Sequence, residues 1–155
     1  MSFKEKAVLF LATGCFIGYI PFAPGTFGTL LGLPFCFVLS KINLLFAVLC
    51  TLLFIMLAIG LAQVAEKILK KKDSGRIVID EIAGLMVTLT GIPFNLESIV
   101  SGFLVFRAMD ILKPFPIRRL ERNLSGGTGV VLDDVLAGVY SNIFVRLVFY
   151  FIRIT

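Results

Sequence analysis

Between Leu44 and Val64 the chain runs without a single charged residue and is dominated by Leu, Ile, Phe, Val and Ala. Such a stretch matches the roughly 20 apolar residues that carry a helix across a bilayer. It constrains the fold more than any other feature, because in hydrocarbon each backbone amide must find a partner within the protein. The rest of the chain agrees. Of 155 residues, 58% are hydrophobic and 16% charged, and the mean hydropathy is +1.00. A soluble domain is about half apolar, so lipid has to solvate much of this surface.

The remaining apolar segments predict an all-α membrane protein forming a single domain over residues 1–155. We expect about four to five membrane helices. One runs from Gly28 to Leu39, another from Leu44 to Val64, and the last from Val135 to Ile154. Between them Gly91-Ile-Pro93 interrupts a longer apolar region. Proline removes a backbone donor and restricts the residue before it, so this break predicts a hairpin of two helices, Asp80–Thr90 and Glu97–Asp110. Residues 3–17 predict an interfacial or partly inserted helix, with a full span as the alternative. No small-residue cleavage site follows, so a cleaved signal is not expected.

Basic residues gather in two loops. Lys67, Lys70, Lys71, Lys72 and Arg76 lie in one; Arg107, Lys113, Arg118, Arg119 and Arg122 lie in or beside the other. The positive-inside rule places both in the cytoplasm. Cys15, Cys36 and Cys50 are expected to be buried small hydrophobes. With no histidine in the chain, imidazole catalysis and the usual zinc sites are excluded.

Five of the ten acids stand at the cytoplasmic ends of these helices: Asp80, Glu81, Asp110, Asp133 and Asp134. Capping and the helix dipole account for acids at helix starts. They do not account for Asp110 at a helix end, or for doubled acids at two starts. Carboxylates drawn together repel, and a divalent cation relieves the repulsion. Oxygen ligands without His or thiolate suit Mg²⁺.

Cations accompany the acids. Arg107, Asp110 and Lys113 follow one another at helical spacing, and Arg118, Arg122 and Asn123 come next. Guanidinium and ammonium groups at such a place bind phosphate. Arg119 and the run Lys70–Lys72 read instead as membrane anchors and orientation markers. Two glycine-rich loops, Pro24–Thr29 (with Gly25 and Thr26) and Ser125–Gly129, read as backbone cradles for phosphate. The sum is a phosphoryl-transfer site for a lipid phosphate at a membrane face.

Known chemistries narrow this further. The chain has no Asp-x-Asp motif, no Cys followed six residues later by Arg, and no spaced Asp and Gly signature of CDP-alcohol phosphatidyltransferases. Metal-activated water acting on a phosphomonoester remains. An ion or solute transporter, or a non-catalytic binder of anionic lipid, is the competing reading. A transporter favours acids near the midplane, and a binder leaves the acid cluster uncompensated.

Four blocks then resemble a known family. They are Ala23-Pro-Gly-Thr-Phe-Gly-Thr29, Asp80-Glu-Ile-Ala-Gly84, Phe106-Arg-Ala-Met-Asp-Ile-Leu-Lys-Pro-Phe-Pro-Ile117, and Gly126-Gly-Thr-Gly-Val-Val-Leu-Asp-Asp-Val-Leu-Ala-Gly138. In order and content the chain resembles phosphatidylglycerophosphatase A, a bacterial inner-membrane enzyme. The resemblance implies Mg²⁺ dependence, a cytoplasm-facing site, and conversion of phosphatidylglycerophosphate to phosphatidylglycerol and phosphate. It implies that Asp80, Glu81, Asp110, Asp133 and Asp134 are metal or catalytic acids. Arg107, Lys113 and Thr26 become phosphate contacts. The stretch Arg119–Leu124 departs most from the pattern, which weakens the assignment of Arg122 and Asn123.

Overall fold

The computed structural model describes residues 1–119 and 124–154, the last two of these by backbone alone. Among the described residues the chain is entirely helical, with seven α-helices in the order α1 Phe3–Ala12, α2 Pro24–Leu31, α3 Leu33–Leu39, α4 Leu44–Leu69, α5 Ile79–Leu89, α6 Leu96–Leu112 and α7 Gly127–Ile154.

Two of them, α4 and the stretch Gly127–Ile152 of α7, are long and apolar enough to cross a membrane. This is fewer than the four to five spans expected from sequence. The reason is length. At 1.5 Å per residue α5, with 11 residues, reaches about 16 Å, and α6, with 17, about 25 Å, against a hydrocarbon core of about 30 Å. The first expected span is also interrupted: α2 ends at Leu31, and α3 restarts after Gly32 with Pro34 in its first turn. The ten-residue α1 is too short to cross, which removes the full-span alternative for residues 3–17. Large apolar side chains along α4 and α7, among them Leu45, Leu53, Met56, Leu147 and Phe151, remain exposed, as lipid-facing surfaces do. These features mark a membrane protein.

The expected hairpin is present. Gly91 takes a left-handed φ of 70°, and Asn95 starts α6 by accepting the Ser98 amide at 2.9 Å. Helix α1 is fixed by a capping box between Ser2 and Glu5. Its last residue accepts the Val78 amide at 3.0 Å, which ties it to the start of α5. Of the cysteines only Cys36 is buried; Cys15 and Cys50 are exposed, so burial was expected wrongly for two of the three.

Helix α5 packs most extensively against α7. Gly84 and Gly138 make this possible. A Cβ on Gly84 would collide with the Phe106 ring and the Asp134 carbonyl, and one on Gly138 would collide with the Gly84 carbonyl. Small residues let helix backbones approach closely in membranes. Further along the same seam, Asn142 donates to the carbonyls of Val87, Thr88 and Thr90 at 3.2, 2.8 and 2.9 Å. Arg146 donates to Thr90 and Gly91 at 3.1 and 2.9 Å and to Asn142 at 2.7 Å. A helix end leaves its last carbonyls without intrahelical partners, and these two side chains from α7 satisfy those of α5. Arg146 is therefore bound to its neighbours rather than drawn out to the interface.

Two stability outcomes follow. Gly138→Leu drives the α5 and α7 backbones apart and lowers the thermal midpoint in detergent, by an amount corresponding to about 1–3 kcal/mol. Arg146→Met keeps the bulk but takes from the Gly91 carbonyl its side-chain donor, while Thr90 keeps Asn142, at a cost of about 1–3 kcal/mol. Thermal unfolding of purified protein in one detergent measures both, and an unchanged midpoint in either variant would remove the contact from the account.

Candidate active site

Four helix ends meet at one end of the bundle: the C-termini of α4 and α6 and the N-termini of α5 and α7. The glycine seam fixes how the acids meet. Asp80 lies one turn before Gly84, and Asp134 one turn before Gly138. Residues four apart share a helix face, so closing the seam sets Asp80 beside Asp134. Glu81 follows Asp80 on the first turn of α5. Ligand oxygens of Asp80, Glu81 and Asp134 lie within 4.8 Å of one another.

Asp80 and Asp134 are buried. Asp80 Oδ1, Glu81 Oε2 and Asp134 Oδ2 are buried oxygens with no hydrogen-bond partner among the described residues. Burying a charge costs several kcal/mol unless it is paired. Three carboxylates with oxygens close to one another and shielded from water could hold a cation. Their oxygen-only chemistry and spacing fit a hard divalent ion such as Mg²⁺.

Asp110 and Asp133 flank the three. Asp110 is ion-paired to Arg107 at 2.6 Å and stands against Glu81 and Asp134. The partner Arg107 resolves the question of an acid at a helix C-terminus. Asp133 is ion-paired to Lys113 at 2.6 Å and lies close to Asp80 and Asp134. Lys113 occupies the left-handed C-cap of α6, with φ 44°, which turns the chain away just before Pro114. The five sequence-derived acids do gather, but as a triad of potential ligands with two salt-bridged neighbours.

Gly25 brings the N-terminus of α2 to the same place. A Cβ there would meet Glu81 Oε1, with the Arg107 guanidinium next nearest. The positive end of the helix dipole thus faces the acids. Thr26, beside it, is half-buried on the first turn. Arg118 is exposed and donates to the Leu112 carbonyl at 3.2 Å. Arg122 and Asn123 lie outside the described residues.

The second glycine loop differs from expectation. Its glycines answer to packing. A Cβ on Gly127 would strike the backbone of α4 at Ile59 and Gln63, and one on Gly126, at φ 70°, would strike the Gln63 side chain. Gln63 accepts the Gly127 amide at 2.6 Å. That bond caps α7 and fixes its register, and with it the heights of Asp133 and Asp134. Gln63 was missed in sequence; a lone amide near the end of an apolar run was the only signal. Lys72 was placed outside the site by sequence reading, yet it lines the same groove as Arg118 and Asp133.

With this geometry in hand, comparison with known proteins is direct. A family model described as phosphatidylglycerophosphatase A matches residues 10–149. The chain belongs to the phosphatidylglycerophosphatase A family. It is 37% identical over 132 residues to phosphatidylglycerophosphatase A of Escherichia coli strain K12, covering 84% of this chain and 77% of the relative. It is 40% identical over 146 residues to phosphatidylglycerophosphatase A of Haemophilus influenzae, covering 90% and 87%. A protein of Bacteroides thetaiotaomicron named putative phosphatidylinositol-3-phosphatase is 37% identical over 145 residues, covering 88% and 90%. No solved structure matches.

The electrostatics of the triad give an outcome that can be measured without substrate. Asp134→Asn replaces one of three crowded, buried carboxyls by a neutral amide, so in EDTA this variant melts at or above the temperature of the parent. A clear drop in midpoint in EDTA would mean the carboxylates stabilise one another without a cation.

Proposed function

We propose that this chain is a Mg²⁺-dependent lipid phosphatase that hydrolyses the terminal phosphomonoester of phosphatidylglycerophosphate, giving phosphatidylglycerol and phosphate. The observation that carries the reading is the triad of Asp80, Glu81 and Asp134, with unpartnered buried oxygens, bordered by Arg107 and Lys113. Membership of the family supports the substrate.

Asp80, Glu81 and Asp134 would hold the cation. When bound, Mg²⁺ supplies charge neutralisation for the phosphate and acidifies water to a usable nucleophile. Arg107 and Lys113 draw the phosphate dianion to the cluster and offset its charge. Asp110 and Asp133 hold those two cations in place through their ion pairs. One carboxylate of the group accepts the proton of the attacking water. The new P–O bond forms from that water as the bond to the glycerol oxygen breaks, and the leaving alkoxide takes up a proton. The rigid seam contributes positioning, which carries much of the catalysis in phosphoryl transfer.

The orientation belongs to the same proposal. The site lies at the end of the bundle that carries Lys67, Lys70, Lys71, Lys72 and Arg76 between α4 and α5. By the positive-inside rule that end faces the cytoplasm of a bacterial inner membrane, where newly made lipid phosphate would meet it.

Phosphate release from phosphatidylglycerophosphate by purified protein in detergent micelles tests this. Release is expected with Mg²⁺ and not with EDTA, and it should exceed release from phosphatidylinositol 3-phosphate. Asp134→Asn should lower kcat by about a thousandfold or more, while its elution from size exclusion stays that of the parent. Equal turnover in EDTA, or normal turnover by Asp134→Asn, would overturn the reading.

A further inference from the structure

Toward the end of the bundle opposite the acid cluster, a groove of about 350 Å³ opens between α4 and α7, with the end of α5 as its floor. Its origin lies in residue size. Nearer the cluster, α4 closes on its neighbours through Ala58, Ala62 and Ala65, all fully buried, and small side chains permit that approach. Toward its start α4 presents Val48 and Leu52 instead, and α7 presents Val139 and Ile143, so the walls are apolar. The floor is polar but satisfied. Thr51 and Thr90 donate to the carbonyls of Ala47 and Met86 at 2.8 and 2.6 Å, and Asn142 donates to those of α5.

Arg146, at the rim, is exposed and only partly satisfied. Its Nε serves Asn142, and Nη2 serves Thr90 and Gly91. Those bonds use three of the five donors of a guanidinium. The two on Nη1 have no acceptor, and no carboxylate lies within ion-pair distance, among the described residues. The level of this rim is set by Leu44. Gly91 lies between the Leu44 side chain and the guanidinium, and a Cβ there would strike both. Leu44 begins the apolar run of α4. Lys41, Asn43, Asn95 and Glu97, on or beside the turns at this end, are exposed. Charges are costly in hydrocarbon, so lipid head groups meet the protein here.

A phospholipid is complementary to both parts: a chain for the apolar walls, and phosphate oxygens for the unused donors of Arg146. No acid lines the groove among the described residues. An ammonium head group would find no counter-charge there, which favours an anionic one. A second copy of the chain fits less well, because the apolar faces of α4 and α7 bring no anion to Arg146. We propose that this groove is a second lipid site, which seats an acyl chain of an anionic phospholipid from the leaflet opposite the acid cluster and binds its phosphate at Arg146. The site shares no residue with the cluster and does not depend on the hydrolysis reading.

Thermal melting of purified protein in one detergent, titrated with phosphatidylglycerol or with phosphatidylcholine of the same chains, tests this. A ligand of the folded state raises the midpoint with its concentration, which gives an apparent affinity. The parent should bind phosphatidylglycerol more tightly than phosphatidylcholine. Arg146→Gln should weaken phosphatidylglycerol about tenfold and phosphatidylcholine by no more than about threefold. Val139→Phe fills the groove while leaving the bonds of Arg146 in place, and should weaken both lipids about tenfold. Neither variant alters the acid cluster, so lipid held there contributes equally in all three proteins. Parental affinity for phosphatidylglycerol in either variant would overturn the site. So would elution of the parent as a dimer that Val139→Phe splits, which would assign the groove to a second copy. Should Arg146→Gln fail to fold, Val139→Phe decides alone.

Discussion

A side chain at Gly84 would collide with the Phe106 ring and the Asp134 carbonyl, and one at Gly138 would collide with the Gly84 carbonyl. The acid cluster and the contacts of Asn142 and Arg146 are arranged around that close approach of α5 and α7. One turn toward one end, Asp80 and Asp134 face each other with Glu81 alongside. Toward the other end, Asn142 and Arg146 receive the carbonyls that α5 leaves open. Closing the seam therefore does two things of opposite sign. It satisfies the backbone of a helix too short to cross a membrane, and it forces buried carboxylates together at a cost. The first lowers the free energy of the packed state, and the second leaves a place that the proposed cation would fit.

The supporting contacts act on the same geometry from outside. Gln63 on α4 caps α7, so the long spanning helix sets the height of Asp133 and Asp134. Phe106, fully buried, fills the space beside Gly84 and keeps α6 close. The next residue, Arg107, and Asp110 one turn on reach the acid cluster. Gly25 admits α2 to the same point. The site proposed for phosphate chemistry thus lies where separate helix ends converge, with Asp110 and Asp133 held by Arg107 and Lys113.

Much of this was legible in the sequence because polar residues inside a membrane protein are costly and so few. Five acids at helix ends in an apolar chain could be picked out, and Gly91 with Pro93 marked the hairpin. Other features were hidden for physical reasons. Apolar composition does not reveal how much of a segment is helical, so α5 and the α2–α3 pair read as spans until their lengths were seen. Glycine has two uses, close packing and phosphate binding, which look alike in one dimension; at Gly126 and Gly127 packing against α4 decides. Lys72 resembled its neighbours Lys70 and Lys71 in a basic run, and only the fold of the loop separates them. Asn142 and Arg146 gave no sign of their shared partners, because those partners are backbone carbonyls some fifty positions away.

The account turns on carboxylates from two helices jointly binding one divalent ion. Titration of purified protein with Mn²⁺, an oxygen-seeking stand-in for Mg²⁺, followed by electron paramagnetic resonance, reads this directly. The parent should take up the ion at a site that Mg²⁺ displaces, and both Asp80→Asn on α5 and Asp134→Asn on α7 should lose it. Retention of parental Mn²⁺ binding in either variant would contradict a site shared across the seam.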